Sequence, residues 1–307
     1  MTKFTILFIT KNRNDILKSL NSCLNIKKYY QNIKIIILDG NKNDFISRRV
    51  KNFSKKIELK IVKQKKTGFM NACLEAINYL DEGFFTFMYD DDILSPFFGK
   101  LVKYSCTKKK QIYGYGKIYP KNKRFIFKNP KINEISKNKI NFLNEYFRIK
   151  SNNVLPNSPI TSIFSVKILQ KWKYVLRNKL NDDISNYLMM KKNIGPDLML
   201  YLLSLERDKK KSSTLIANTS TAKFSSHKNS MSINYGSINL KFGYWIAKKK
   251  FIDSIYDRNL VSKRLIIIHF IKGLLIISLF LLNQKKLKKF TLKNYLSALY
   301  DLSIKIF

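Results

Sequence analysis

Residues 84–96 read FFTFMYDDDILSP, a charge-free apolar run from Phe84 to Tyr89 that stops on three consecutive aspartates, Asp90, Asp91 and Asp92. A short run rich in aromatic residues suits a strand buried on both faces. Adjacent carboxylates at its end repel one another unless a cation or hydrogen-bond donors compensate them. A hard divalent ion does so: Mg²⁺ or Mn²⁺ takes one or two carboxylates together with substrate phosphates and leaves the rest of its shell to water. Taken alone, the tripeptide fits a solvated acidic turn equally well.

Toward the N-terminus the same punctuation repeats. Phe4–Thr10 (FTILFIT) is a buried-strand pattern followed by the polar turn Lys11-Asn12-Arg13-Asn14. Asp15 then stands as cap to a helix whose apolar positions Ile16, Leu17, Leu20, Cys23 and Leu24 fall at helical spacing. Ile33–Leu38 is a second strand, ending at Asp39-Gly40-Asn41. Ile57–Val62 is a third, with a loop over 63–67 and a helix from Gly68 to Leu80. Alternating strands and helices predict an α/β fold with a mostly parallel sheet, in which ligands collect at the carboxyl ends of the strands. Thr10, Asp39 and Asp90–Asp92 all fall at such ends, so topology alone places them on one rim.

Past Pro96 the pattern loosens. Residues 111–128 alternate around a Pro-Lys-Asn-Lys turn and predict a hairpin. Residues 151–160 read as a loop, Ser165–Tyr174 as a helix, and a further helix starts at Gly195-Pro196-Asp197, with proline and an acid in its first turn. Leu265–Leu282 is 18 residues long and almost wholly apolar, with Lys263, Arg264, Lys285, Lys286, Lys288 and Lys289 on its flanks. Lys272 near its centre costs about 2.5–3.5 kcal/mol in hydrocarbon, which disfavours a span. A helix lying in the membrane interface on anionic headgroups is the expectation, with a buried core helix as the alternative.

The 307 residues carry 59 Lys+Arg against 20 Asp+Glu, a net charge of +39, and 45% hydrophobic residues. That content fills a core and excludes global disorder; the charge points to an anionic partner, although A- and T-rich codons also enrich lysine. The three cysteines, Cys23, Cys73 and Cys106, show no paired spacing, as expected in a reducing cytosol. The first residues run straight into the Phe4 strand, so no export signal is expected.

The ordered set FTILFITKNRNDILKSLNSCL, IIILDGN, TGFMNACLEAI and FMYDDDILSP resembles glycosyltransferase family 2, the inverting nucleotide-sugar transferases of GT-A fold. The resemblance implies a GT-A, Rossmann-like catalytic domain over residues 1–235. Its nucleotide-sugar-binding half is 1–100 and its acceptor-binding half 101–235; a basic, apolar helical extension follows at 236–307. It implies that Thr10 and Arg13 border the nucleotide base, that Asp39 accepts from a base N–H, and that Gly68 and Asn71 line the donor site. Asp90 is implied near the ribose, and Asp91 or Asp92 as ligand to an Mg²⁺ or Mn²⁺ that bridges the diphosphate. Where an Arg commonly precedes Asn71, this chain has Met70, so the phosphate contact is either missing or supplied by Lys65 or Lys66. Asp197 matches the family's base motif, with Asp182 and Asp183 in reserve, and His227 matches an element that approaches the donor phosphates.

The implied activity is transfer of a sugar from a nucleoside diphosphate to a hydroxyl of a glycan or polyprenyl-linked acceptor in surface polysaccharide synthesis. The expected place is the cytoplasm, peripheral on the inner leaflet. A basic nucleic-acid-binding protein is the rival from another class, prompted by +39 and by 17 Tyr with 22 Phe. No binding module supports it, and the aromatics fall within apolar runs. A metal-dependent nucleotidyltransferase needs an early glycine-rich phosphate loop, which Lys11-Asn12-Arg13-Asn14 does not provide.

Overall fold

The computed structural model describes residues 1–11, 16–120, 125–135, 139–148, 155–156, 158–180, 185–207, 214–226, 236–255 and 261–283. Its strands are β1 Phe4–Thr10, β2 Ile33–Asp39, β3 Glu58–Lys63, β4 Phe84–Tyr89, β5 Ile93–Leu94, β6 Ile112–Pro120, β7 Ile132–Ile135, β8 Phe164–Ser165 and β9 Thr214–Ser226. The α-helices are α1 Ile16–Leu24, α2 Phe45–Val50, α3 Phe69–Ala76, α4 Phe98–Lys108, α5 Lys139–Glu145, α6 Leu169–Asn178, α7 Pro196–Arg207, α8 Gly236–Ser254 and α9 Lys263–Asn283.

The central sheet runs β3-β2-β1-β4-β8, with its first four strands parallel and β8 antiparallel to β4. Strands β1, β2 and β4 are apolar on both faces because both faces are covered, whereas the edge strand β3 exposes Glu58, Lys60 and Lys63. Phe4, Ile6 and Phe8 join one core with Ile35 and Ile37 of β2 and residues of α1, α2 and α4. The intervening Leu7 and Ile9 join a second core with Phe85 and Phe87 and residues of α3, α6, α7 and α8. This two-residue alternation follows from the pleat, which sends successive side chains to opposite faces.

Register sets the rim. Thr10 lies beside Asp39, Asp39 beside Lys63, and Ile9 beside Tyr89. Three parallel neighbours thus end level with one another, and the residues that follow them meet at one edge.

Among the described residues of 111–128, no returning strand pairs with β6 to make the expected hairpin. β6 pairs instead in parallel with β9, about a hundred residues away, with register shifts around Tyr115. β5 and β7 add to the same β9 antiparallel, making a second, four-stranded sheet. Strand β9 occupies the role that the turn after Tyr119 was expected to supply through a returning strand. The helix expected over 165–174 begins later, at Leu169, after Phe164 and Ser165 have paired with β4.

At the C-terminal side α8 packs on α7, and α9 on α8. Phe242, Trp245, Ile246, Ala247, Phe251, Phe270 and Ile276 bury into the same core as Leu7 and Phe87. The indole N–H of Trp245 donates to the His269 carbonyl at 2.9 Å, tying the two helices together. No helix among the described residues is long and apolar enough to cross a membrane.

Candidate active site

Thr10 ends β1, and its hydroxyl donates to Asp90 Oδ2 at 2.7 Å; the backbone N–H of Lys11 donates to the same oxygen at 3.1 Å. Both Thr10 and Asp90 are buried. An ionised carboxylate out of water needs such donors, and parallel pairing of β1 with β4 supplies them from the next strand.

Asp39 is 1% exposed. Its Oδ1 accepts from the backbone N–H of Asn41 at 2.9 Å and from the Asn41 amide at 2.7 Å, while its Oδ2 pairs with Lys63 Nζ at 2.8 Å. An ionised carboxylate offers about four lone-pair positions. Three are occupied, which leaves room on Oδ2 for one further donor.

Gly68 precedes α3 with φ +105° and ψ 143°, a conformation that only glycine adopts without strain. A Cβ there would meet just the Asn71 amide, at 3.6 Å, so backbone conformation and not space demands the glycine. The Asn71 amide donates to the Thr67 carbonyl at 2.7 Å, and Gln64 reaches the Gly68 carbonyl at 2.7 Å. The Lys65 N–H is taken by the Glu75 carboxylate at 3.0 Å, whose Oε1 is buried without a hydrogen-bond partner. The loop is therefore held by side-chain contacts to backbone on both sides.

Asp91 is half-buried and Asp92 buried at the same rim. Among the described residues no group of three His, Cys, Asp or Glu side chains converges into a ready-made metal cage. Mg²⁺ and Mn²⁺ do not require one, since one or two carboxylates suffice when phosphates complete the shell. The hard oxygen donors of Asp91 and Asp92 fit that chemistry.

Asp197 opens α7, where its Oδ1 accepts from the Leu198 N–H at 2.8 Å. The turn before it is tightly held. Gly195 has φ +105°, the Trp172 indole donates to the Pro196 carbonyl at 2.8 Å, and a Cβ on Gly195 would stand 2.8 Å from the Gly243 carbonyl of α8. Burial pushes the Asp197 carboxyl up to about 6, with the Leu198 N–H opposing the shift. Its charge in turn is the chief cause that raises the Tyr244 phenol, ahead of burial. The Tyr89 phenol, raised first by burial, also feels Cys73, Asp197 and Asp92. Tyr89 is the last residue of β4, so the acid of α7 and the acids after β4 share one neighbourhood.

The structure thus gathers Thr10, Asp39 and Asp90–Asp92 at the rim, puts Gly68 at the end of the adjoining loop and Asn71 in the first turn of α3, and brings Asp197 within electrostatic reach of Tyr89. Arg13, His227, Asp182 and Asp183 lie outside the described residues. Sequence reasoning missed Lys63, Trp172 and Tyr244. Lys63 was legible: it ends the third strand as Asp39 ends the second. Tyr244 was not, because nothing local to α8 points at a turn some fifty residues earlier.

The sequence pattern of the family described as Glycosyl transferase family 2 matches residues 5–172. No curated protein matches the chain in sequence. Among solved structures, TarS 1-349 of S. aureus in complex with UDP-GlcNAc superposes with a TM-score of 0.60 at 16% identity, over 97% of this chain and 80% of that one. The UDP complex of the same protein gives 0.57 at 14% identity, over 89% and 70%. At such identities the likeness carries the fold, the GT-A arrangement of a mostly parallel sheet. With more than half its length matched, the chain belongs to glycosyltransferase family 2.

Proposed function

We propose that this glycosyltransferase moves a sugar, with inversion, from a nucleoside diphosphate to a hydroxyl of a glycan or polyprenyl-linked acceptor in surface polysaccharide synthesis. The observation that carries the reading is Asp197: a carboxyl pushed up to about 6, at a rigid helix start, near the acids that end β4. A general base works best when its pKa lies near the operating pH and an attacking hydroxyl comes within hydrogen-bond reach.

Asp197 takes the proton of the acceptor hydroxyl as that oxygen bonds to the anomeric carbon; the bond from that carbon to the diphosphate oxygen breaks, and the nucleoside diphosphate leaves with the electron pair. Asp39 holds the base through its remaining lone pair, and Asp90, fixed by Thr10 and Lys11, faces the ribose. Asp91 and Asp92 would hold Mg²⁺ or Mn²⁺, which when bound supplies positive charge opposite the developing diphosphate charge. Arg13 and His227 keep their roles beside the base and the phosphates. Because the TarS structures carry UDP-GlcNAc and UDP, a uridine diphosphate sugar heads the donor candidates. The enzyme works in the cytoplasm, peripheral to an anionic inner-leaflet surface, and nucleic acid is not its partner.

The test is calorimetry of full-length protein against a panel of nucleotide sugars, with Mn²⁺, with Mg²⁺ and with EDTA. Binding of one donor that EDTA removes, and that Asp91→Asn or Asp92→Asn weakens about 10-fold or more, is expected. Uptake of single-stranded DNA with no nucleotide-sugar binding would replace the reading by the nucleic-acid one.

A further inference from the structure

The helix α9 buries one side against α8 through His269, Phe270 and Ile276. The other side is apolar as well and faces solvent: Ile267 is 37% exposed, Ile271 54% and Leu275 65%. Residues four apart advance about 40° round a helix, so these three form one continuous stripe. Lys263 and Arg264 are exposed at its start, and Lys272, also exposed, stands about 100° round from Ile271. A lysine so placed lays its methylenes along apolar surface while its ammonium reaches headgroups.

We infer that the stripe Ile267, Ile271 and Leu275 is the face by which the protein sits on an anionic lipid bilayer, its apolar side chains in the acyl boundary and Lys263, Arg264 and Lys272 on the headgroups. Charge selects this occupant. A second copy of the chain, itself at a net charge of +39, would set like charge against this cationic face, whereas anionic lipid attracts it. Apolar stripe and cationic flank together are the two signals that durable attachment requires. The inference rests on the membrane-surface location proposed above and goes further by naming the surface that makes contact.

Co-sedimentation of the full chain with phosphatidylcholine vesicles, with and without 30% phosphatidylglycerol, tests it. The wild-type chain should bind the anionic vesicles, lose them in high salt, and bind neutral vesicles at least about 10-fold more weakly. Ile271→Glu with Leu275→Glu should lower anionic-vesicle binding at least about 10-fold with thermal melting unchanged. Lys263→Gln with Lys272→Gln, which keeps the apolar stripe, should lower it by a smaller factor. If the double glutamate variant binds as well as wild type, the face is wrong while the location stands; if wild type binds no anionic vesicle, both fall. A dimer in light scattering that the glutamate variant dissociates would also overturn the inference, by giving the stripe to a second copy.

Discussion

The Thr10 hydroxyl donates to Asp90 Oδ2 at 2.7 Å, joining the end of β1 to the first acid after β4. Replacing Thr10 by Val keeps the branched, strand-favouring shape and removes only the donor. A buried acceptor left short of a partner costs about 1–3 kcal/mol, so Thr10→Val should melt several degrees lower and bind nucleotide sugar about 10-fold more weakly. Differential scanning calorimetry and titration of the donor check the two effects; if neither changes, Asp90 does not depend on Thr10.

Asp197 predicts a stability that depends on pH in an unusual direction. Its carboxyl is raised from 3.8 to about 6 by burial, so the folded chain holds that proton more tightly than the unfolded chain. The associated stability is whole below about pH 4 and is lost as pH rises through 6. Asp197→Asn, which cannot ionise, should therefore be about 1–2 kcal/mol more stable than wild type at pH 8 and no more stable at pH 4. Urea unfolding at the two pH values measures it, and equal gains at both would contradict the assigned shift.

His269 predicts the opposite slope. Burial and the charges of Lys248, Lys272 and Lys249 push it down from 6.5 to about 3, and its Nε2 is buried without a hydrogen-bond partner. Below pH 6.5 the unfolded chain gains a proton that the folded chain refuses, so stability falls with falling pH. The loss amounts to about 2 kcal/mol between pH 6.5 and 5. His269→Phe suits a ring that stacks on Trp245 at 5.6 Å between centroids. It should flatten that slope without lowering stability at pH 7.5; a steeper acid loss in the variant would refute the assignment.

Gly243 tests how the base is held. A Cβ at this position would lie 2.2 Å from Ile194 Cγ2, beside the turn that presents Asp197. Overpacking of this kind costs about 1–3 kcal/mol, and a displaced base loses rate steeply, by as much as about 100-fold for 1 Å. Gly243→Ala should therefore lower turnover by about 10-fold or more while donor affinity, assigned to Asp39 and the Asp90–Asp92 cluster, holds. A loss of donor affinity equal to the loss of turnover would show that α8 supports the donor site instead.

The parallel half of the fold was legible because β1, β2 and β4 are buried almost throughout and stop at polar residues. Phe4–Thr10 and Phe84–Tyr89 were read with the bounds they have. Strand ends also located Thr10, Asp39 and the Asp90–Asp92 cluster, since a parallel register brings such ends level. The partner of β6 was not legible. Residues 112–120 alternate like a hairpin arm, but the strand that pairs with them is Thr214–Ser226, and long-range parallel pairing leaves no local turn signal. The packing around the turn that presents Asp197 was hidden for the same reason, because Trp172 on α6 and Gly243 on α8 meet that turn from elements the 195–198 segment does not announce.

The most direct test of the account is the rate at which nucleoside diphosphate is released from the best-bound nucleotide sugar in Mn²⁺, compared between wild type and Asp197→Asn. Loss of a general base predicts equal donor affinity and release slower by about 10²–10⁴-fold. Release by Asp197→Asn at the wild-type rate would contradict it and return the base role to another acid.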